Sequence, residues 1–326
     1  MLRLPDKWLW DFWFAQDGPY YHIFYLQAPR SLGDEQRRHW HVTIGHAVSE
    51  DLVNWEILPD ALSPSAEDSD AWDDYTTWTG SVIKYGGLWY LFYTGTNRQE
   101  QGLIQRIGLA TSDDLINWRK FPGNPILEAD PQWYELLESE QWPDQAWRDP
   151  WVFWHDGLFH VYITARSGGG PRLGRGVIAH AISTDLMSWE VQGPVTQAGD
   201  FGHLEVPQLV HIGDRWYLLF CTGHQLYSDE RRAKPGLRLE TGTHYLVSDN
   251  PLGPFEMIAD QFLLGDEIGT NYAAKAIQDP AGNWVLLAAR AWSKDGYVGE
   301  IGDPRLLIVD QNGRLCFQPP DIAGEG

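Results

Sequence analysis

Five segments of the chain share one pattern, in which a glycine-containing turn is followed by a run of aromatic and β-branched residues. They read DGPYYHIFYLQ, GGLWYLFYTGT, DGLFHVYITAR, GDRWYLLFCTG and AGNWVLLAARA. Such runs behind a tight turn predict the second strand of a β-hairpin. With Tyr25, Tyr93, Ile163, Cys221 and Ala288 as equivalent positions, the spacings are 68, 70, 58 and 67 residues. The pattern therefore predicts five copies of one unit that fill the chain.

A second pattern follows the first in three units, and a weaker copy occurs in the fourth. IGHAVSEDLVNW, IGLATSDDLINW and VIAHAISTDLMSW each combine an alternating strand, a Ser/Asp turn and a tryptophan. No long 3.6-residue pattern intervenes, so each unit supplies short antiparallel strands. Four-stranded units repeated around an axis form a β-propeller. We predict an all-β fold, a single five-bladed β-propeller over 1–326, with blades at roughly 1–60, 61–125, 126–192, 193–260 and 261–320.

Residues that recur from unit to unit are assigned to the scaffold. Three aspartates share one turn, and three tryptophans follow them at a fixed distance: Asp51, Asp114 and Asp185, then Trp55, Trp118 and Trp189. Aspartates in such turns cap the backbone N–H groups. We expect the tryptophans to pack between blades. Function is then sought at the positions where the units differ.

The net charge and the cysteine content limit which partners and which cellular location are expected. The chain has 24 Lys and Arg against 45 Asp and Glu, a net charge of -21, which argues against nucleic acid or an anionic membrane as partner. No apolar run is long enough to predict a transmembrane helix, and the N-terminus lacks signal-peptide character. Cys221 and Cys316 cannot form a disulfide framework or a Cys-based zinc site, so a cytoplasmic location is expected. The oligomeric state is left open.

The first strand of each propeller blade lines the central channel, and it should precede the anchor residues. Counting back 14 to 16 residues from the five anchors gives Asp11, Thr79, Asp149, Glu205 and Tyr272. Three of these positions are carboxylates in apolar strands. Burying such an ion costs several kcal/mol unless it is paired with a cation or serves a function. One interpretation is that their role is structural and that they form salt bridges or cap amide groups in the channel. The alternative is an active site in the central channel.

Three carboxylates around one channel suit the cleavage of a glycosidic bond. The transition state resembles an oxocarbenium ion, which negative charge stabilises. One carboxylate acts ionised, while like-charged neighbours keep another protonated by raising its pKa. Tryptophan-rich walls suit sugar rings, so a small carbohydrate is the expected ligand. No metal or cofactor is predicted, because His39 and His41 lack an evident third ligand.

Four short motifs resemble the β-fructosidase superfamily, which comprises the levansucrases of glycoside hydrolase family 68 and the invertases of family 32. WDFW at 10–13 resembles the levansucrase WDSW, and WTGS at 78–81 resembles WSGS. RDP at 148–150 is shared by both families, and EVP at 205–207 stands where they have ERP or ECP. The motifs occur in family order, and the blade pattern extends the resemblance over essentially the whole chain.

The resemblance implies a role for each matching residue. Asp11 corresponds to the nucleophile, Asp149 to the transition-state stabiliser and Glu205 to the acid/base. The residues expected to bind the substrate are Trp10, Trp78, Thr79, Arg148, His203 and Tyr272, of which His203 is included because it shares a strand face with Glu205. The chain departs from the family at Phe12, in place of serine, and at Val206, in place of arginine or cysteine.

The leading hypothesis is a retaining β-fructosidase for sucrose or short fructooligosaccharides, with fructosyl transfer to a second sugar left open. An inverting enzyme of the arabinofuranosidase or xylosidase type is one alternative. A catalytically silent sugar-binding propeller is another, and it predicts that one of the acids is turned away or locked in a salt bridge. A glycoside phosphorylase is a minor alternative that needs a cationic phosphate site.

Overall fold

The computed structural model describes residues 1–67, 69–137 and 142–318. The predicted domain and its fifth blade extend beyond this part, since 319–326 lie outside the described residues. None of the described helices is long and apolar enough to cross a membrane. Cys221 is buried and Cys316 is partly buried, both as free thiols, and the cytoplasmic location stays a prediction.

The strands form five antiparallel sheets, four of them with four strands and the last with five. The first two sheets contain β1 Lys7–Asp17, β2 Tyr20–Pro29, β3 Thr43–Ser49 and β4 Glu56–Leu62, then β5 Thr76–Tyr85, β6 Leu88–Thr96, β7 Arg106–Ser112 and β8 Arg119–Lys120. The third contains β9 Trp147–His155, β10 Leu158–Arg166, β11 Gly176–Ser183 and β12 Glu190–Gln192. The fourth contains β13 Glu205–Ile212, β14 Arg215–Thr222, β15 Thr241–Ser248 and β16 Leu264–Asp266. The fifth contains β17 Asn271–Gln278, β18 Trp284–Ser293, β19 Gly296–Ile301, β20 Arg305–Val309 and β21 Leu315–Phe317.

Helical turns are short and lie in the loops. They are the 3₁₀ segments Arg30–Leu32, Glu35–Trp40, Arg172–Gly174 and His224–Leu226, and the helix α1 Asp229–Arg232. The segment Glu35–Trp40 connects β2 to β3 and reaches the central cavity described below.

The five sheets close into a ring through their first strands. β1 contacts β5, β5 contacts β9, β9 contacts β13, β13 contacts β17, and β17 contacts β1. An antiparallel bridge between Leu2 and Ile301 of β19 joins the N-terminal segment to the last blade. The predicted five-bladed β-propeller is therefore confirmed.

The second strand of each blade is mainly apolar because both of its faces are covered by neighbouring blades. In β2 every residue from Tyr21 to Ala28 is buried, and Val161 and Leu219 of β10 and β14 are fully buried. A continuous apolar run is the sequence signal of such a strand. The anchor positions identified from the repeat all lie in these second strands.

The Ser/Asp turn and its tryptophan play the structural parts expected of them. Asp114 Oδ1 accepts hydrogen bonds from the backbone N–H groups of Ile116 and Asn117 at 2.9 and 2.8 Å. Asp51 and Asp185 make the equivalent bonds in their own blades. Trp118 of the second blade packs edge-on against Phe24 of the first, and Trp189 against Phe92 in the same way.

Candidate active site

Each first strand contains one β-bulge, and the bulges present the site residues. The register with the second strand shifts between Leu9 and Phe12, Trp78 and Gly80, Arg148 and Trp151, Glu205 and Gln208, and Tyr272 and Lys275. A bulge re-aims side chains and bends its strand. Within these bulges Asp149, Val206 and Ala273 have φ of 60°, 53° and 49°. This left-handed conformation is unfavourable for residues other than glycine, and the surrounding packing holds it in place.

The bulges surround one open cavity of about 630 Å³. All of the site residues predicted from the sequence except His203 line it: Trp10 and Asp11 from β1, Trp78 and Thr79 from β5, Arg148 and Asp149 from β9, Glu205 from β13, and Tyr272 from β17. His203 is 5% exposed and lies behind the wall. Three carboxylates that are far apart in sequence therefore share one solvent-reachable cavity.

Asp11 is held on one side only. Thr79 Oγ1 donates a hydrogen bond to Asp11 Oδ2 at 2.7 Å, and Oδ1 accepts none from the described residues. Burial raises the pKa of Asp11 to about 6, and the charge of Asp149 adds to the increase. A carboxylate with one anchored and one free oxygen is suited to attack a substrate carbon.

Asp149 is the most enclosed of the three acids. Its Oδ2 accepts hydrogen bonds from Thr164 Oγ1 at 2.9 Å and from the backbone N–H of Val206 at 3.0 Å. Burial raises its pKa, although the Arg148 guanidinium opposes this at an Nε to Oδ2 distance of 3.7 Å. The bulge of the neighbouring blade thus fixes the orientation of this carboxylate.

Glu205 lies between a cation and a phenol. Arg148 Nη2 donates to its Oε1 at 2.5 Å, and Tyr272 Oη donates to its Oε2 at 2.5 Å. Although burial opposes it, the Arg148 charge holds the pKa of Glu205 well below its usual range. The expectation that like-charged neighbours raise the pKa of the acid was wrong for this residue, because Arg148 outweighs them. Tyr272 lines the cavity, as predicted, and its hydroxyl group contacts Glu205 there.

Arg148 is oriented by two further side chains. Its Nη1 donates to Gln105 Oε1 at 3.1 Å, and its Nη2 lies 2.9 Å from His203 Nδ1. Since an arginine can only donate, this Nδ1 accepts and His203 carries its proton on Nε2. Burial and the Arg148 charge lower the pKa of His203, which keeps it neutral. Gln105 was missed in the sequence because it lies in the loop before β7, outside the channel strands.

Lys275 is a buried lysine beside the site that the sequence analysis also missed. It is 2% exposed, and its Nζ donates to the carbonyl oxygens of Val206 at 2.7 Å and Pro207 at 3.1 Å. Burial lowers the pKa of Lys275 to about 8. A signal was present, since it is a single charge inside the apolar strand NYAAKAIQ.

His39 and His41 lie apart in function, and no described residue completes a metal site with them. His39 lines the cavity beside Trp10, with ring centroids 5.9 Å apart, while His41 is exposed and bonds to the Arg37 carbonyl. Within 1–67, 69–137 and 142–318, no group of three His, Cys, Asp or Glu residues is arranged to hold a metal ion.

The family model of the glycosyl hydrolases family 32 N-terminal domain matches residues 12–319. The sucrose-6-phosphate hydrolase of Bacillus subtilis (strain 168) is 27% identical over 277 residues, which cover 82% of this chain and 51% of that protein. The β-fructofuranosidase insoluble isoenzyme 7 of Oryza sativa subsp. japonica is 31% identical over 332 residues, covering 92% of this chain and 51% of that protein.

Among solved structures, the levansucrase from Gluconacetobacter diazotrophicus has the same fold, with a TM-score of 0.77 and 15% identity over 98% of this chain and 82% of that one. The chain spans about half the length of the curated relatives it matches. The family model nevertheless covers nearly all of the propeller that carries the site. The chain belongs to glycosyl hydrolase family 32.

Proposed function

We propose that the protein is a retaining β-fructosidase that cleaves sucrose or short fructooligosaccharides. The observation that carries this proposal is the convergence of Asp11, Asp149 and Glu205 on one open cavity. Family membership supports the same reaction class, and relatives named β-fructofuranosidase and sucrose-6-phosphate hydrolase are consistent with a fructoside substrate.

The geometry suggests a division of labour among the three acids. Asp11 attacks the anomeric carbon of the fructosyl ring with its free oxygen, and Glu205 protonates the leaving oxygen and then activates water. Asp149 stabilises the positive charge of the transition state and accepts hydrogen bonds from sugar hydroxyls. The aromatic rings of Trp10 and Trp78 supply stacking surface beside these groups.

The proton needed by Glu205 is held elsewhere in the free site. The ion pair with Arg148 keeps Glu205 ionised, while the pKa of Asp11 is about 6 and that of Asp149 is also raised. The productive state needs one proton on Glu205, and below about pH 6 the free site holds a proton on Asp11. Sugar hydroxyls that accept hydrogen bonds from Arg148 weaken its hold on Glu205 and raise the pKa of that carboxyl.

One observation favours a second candidate, a sugar-binding propeller without catalysis. The Arg148 to Glu205 pair is the kind of salt bridge that would disable an acid/base residue. This candidate predicts sugar binding with no release of fructose. The fructosidase proposal instead requires that bound sugar weakens the ion pair between Arg148 and Glu205.

The experiment measures both cleavage and stereochemistry. Sucrose, fructooligosaccharides and an aryl arabinofuranoside are incubated with the protein, and methanol is added as acceptor. Release of fructose with formation of methyl β-fructofuranoside supports the proposal, whereas the inverted methyl glycoside supports an inverting enzyme. Binding of sucrose by calorimetry with no product supports the second candidate.

Substitution of the nucleophile tests the assignment of Asp11. Asp11→Asn is expected to lower kcat by roughly 10⁴-fold, because it removes the attacking oxygen at unchanged volume. Asp17→Asn is the matched control, since Asp17 lies at the exposed end of the same strand and pairs with Lys84. Full activity of Asp11→Asn would exclude the mechanism.

A further inference from the structure

Asp144 is a fourth acidic residue that lines the central cavity, and it lies shortly before β9 in the chain. Its Oδ2 accepts a hydrogen bond from Gln105 Nε2 at 3.1 Å. Its Oδ1 is shielded from solvent and has no hydrogen-bond partner among the described residues. A shielded carboxylate oxygen without a donor is unfavourable, which favours a second state of the site in which a donor reaches this oxygen.

The amide of Gln105 connects Asp144 to Arg148. Its Oε1 accepts a hydrogen bond from Arg148 Nη1 at 3.1 Å, while its Nε2 donates to Asp144. Although burial opposes it, the charges of Glu205, Asp144 and Asp149, in that order, raise the pKa of Arg148. Asp144 thus acts more strongly than Asp149, whose Oδ2 lies 3.7 Å from Arg148 Nε. The guanidinium is therefore attracted by Asp144 as well as by Glu205, with which it is paired in the free site.

The free oxygen of Asp144 is better suited to a donor from the protein than to a sugar hydroxyl. A sugar enters through the open cavity, and Oδ1 is shielded from the solvent that fills it. The Arg148 side chain is only 12% exposed and is already joined to the Asp144 carboxylate through Gln105. A guanidinium presents several N–H donors in a rigid fork, so a small rotation can exchange one carboxylate for another.

We propose that Asp144 is a positioning residue that takes over the Arg148 guanidinium when a sugar occupies the cavity, so that Glu205 is released to carry the acid proton. This inference rests on the proposed function, which requires that the ion pair between Arg148 and Glu205 weakens in the complex. Asp144 contacts no reacting atom and acts on Glu205 through Arg148. Its negative charge favours the protonated form of Glu205, because a like charge nearby raises the pKa of a carboxyl group.

Other ionisable groups also act on Glu205 or on its arginine, and they come from several elements. They are Arg148 and Asp149 of β9, Asp11 of β1, Tyr272 of β17, His203 before β13, and His39 of the segment Glu35–Trp40. Burial lowers the pKa of both histidines, so neither adds a charge at neutral pH. Because these groups stay the same in a variant of Asp144, a change in pH dependence reports the charge of Asp144 itself.

The experiment compares two substrates that differ in their need for an acid. Cleavage of sucrose requires a proton on the leaving glucose oxygen, whereas β-fructofuranosyl fluoride releases fluoride without one. The rate of bond cleavage is measured in a single turnover with the protein in saturating excess, between roughly pH 4 and 8. Asp144→Asn removes the charge at nearly unchanged volume, and Asp144→Glu keeps it. Asp156→Asn is the matched control, since Asp156 follows the other end of β9 and its side chain is 88% exposed.

We expect Asp144→Asn to move the alkaline limb of sucrose cleavage to lower pH by about one unit, because Glu205 then loses its proton more easily. At a pH above the limb this shift lowers the rate for sucrose roughly tenfold. The rate for the fluoride should stay within about twofold of the wild-type rate, which also shows that the variant is folded. Asp144→Glu should recover part of the loss for sucrose, and Asp156→Asn should keep the wild-type rates and limb.

Three results for Asp144→Asn would overturn the inference and leave the proposed function intact. Equal losses for the two substrates would give Asp144 a structural role only. A loss for sucrose without a shift of the alkaline limb to lower pH would mean that Asp144 binds the glucose unit. An unchanged rate for sucrose would show that Glu205 is released without Asp144. If the wild-type protein cleaves neither substrate, the proposed function fails and this inference fails with it.

Discussion

Lys275 is a buried positive charge that interacts with Asp11 and Asp149, two of the three carboxylates of the candidate site. It is fully desolvated, and its ammonium group lowers the pKa of Asp11 while it donates to the bulge that follows Glu205. Lys275 therefore affects both the shape of the bulge and the pKa of Asp11. The second effect is measurable in the pH dependence of catalysis.

Lys275→Met is expected to move the alkaline limb of kcat/KM to higher pH. The productive site holds one proton among its acids, and in the free site Asp11 loses its proton with a pKa of about 6, so kcat/KM is expected to fall as pH rises through this value. Removing the positive charge raises that pKa, because a nearby cation favours the ionised carboxylates.

The measurement is kcat/KM for sucrose between pH 4 and 8 in roughly half-unit steps. Lys84→Met is the control, since Lys84 is an exposed lysine that pairs with Asp17 on the outer part of the propeller. An alkaline limb that stays in place or moves to lower pH in Lys275→Met would contradict this account of the site.

At the scale of elements, the Ser/Asp turn fixes the exit from the third strand of three blades. In the second blade, Ser112 Oγ accepts from the backbone N–H of Asp114 and donates to its carboxylate, while that carboxylate accepts from two later N–H groups. These hydrogen bonds hold the pKa of Asp114 well below its usual range. The turn therefore depends on an ionised aspartate.

Asp114→Ala is expected to lower the free energy of unfolding by roughly 1 kcal/mol, because it removes capping hydrogen bonds from exposed backbone N–H groups. Denaturant unfolding at pH 7 measures the change. Asp113→Ala is the matched control, since Asp113 is exposed and its ion pair with Arg119 at 2.7 Å is solvated. Equal destabilisation by the two substitutions would show that the turn contributes nothing specific.

At the scale of the whole molecule, two buried histidine pairs make the stability of the fold depend on pH. In the first blade His22 Nδ1 lies 2.9 Å from His46 Nε2, and in the third His160 Nδ1 lies 2.9 Å from His180 Nε2. Burial lowers the pKa of all four, to about 3 for His46 and about 4 for His180. One nitrogen of each pair donates to the other, which requires that the accepting ring is neutral, and protonation of both rings would break the bond.

The stability of the propeller is expected to fall as pH drops below about 6.5. The unfolded chain binds protons at these histidines near pH 6.5, and the folded chain binds them only at lower pH. Each such histidine contributes a slope of up to about 1.4 kcal/mol per pH unit between its two pKa values. Acid therefore favours the unfolded state.

The double substitution His22→Tyr with His46→Leu tests this at one blade. It recreates the pair Tyr90 and Leu109, which occupies the equivalent positions of the second blade. The free energy of unfolding should then depend less steeply on pH between about 6.5 and 4.5. His41→Leu, at an exposed site, should keep the wild-type slope. An unchanged slope in the double variant would assign the acid sensitivity to other groups.

The architecture and the five channel positions could be predicted from the sequence alone. Both followed from the repeat, because equivalent residues of a repeated unit occupy equivalent places in a closed ring. The spacing from the anchors located Asp11, Thr79, Asp149, Glu205 and Tyr272 without any knowledge of the distances between blades. Each lies at or beside the bulge of its strand.

The electrostatics of the site could not be predicted in this way, because they depend on contacts between residues that are distant in the sequence. The low pKa of Glu205 depends on a residue 57 positions away, and the support from Lys275 crosses from one blade to the next. Arg38 lies in the short 3₁₀ segment Glu35–Trp40 between β2 and β3, yet it is buried in the cavity wall. Charge and burial at a site depend on how neighbouring blades approach one another, and a pattern within one blade carries no information about that distance.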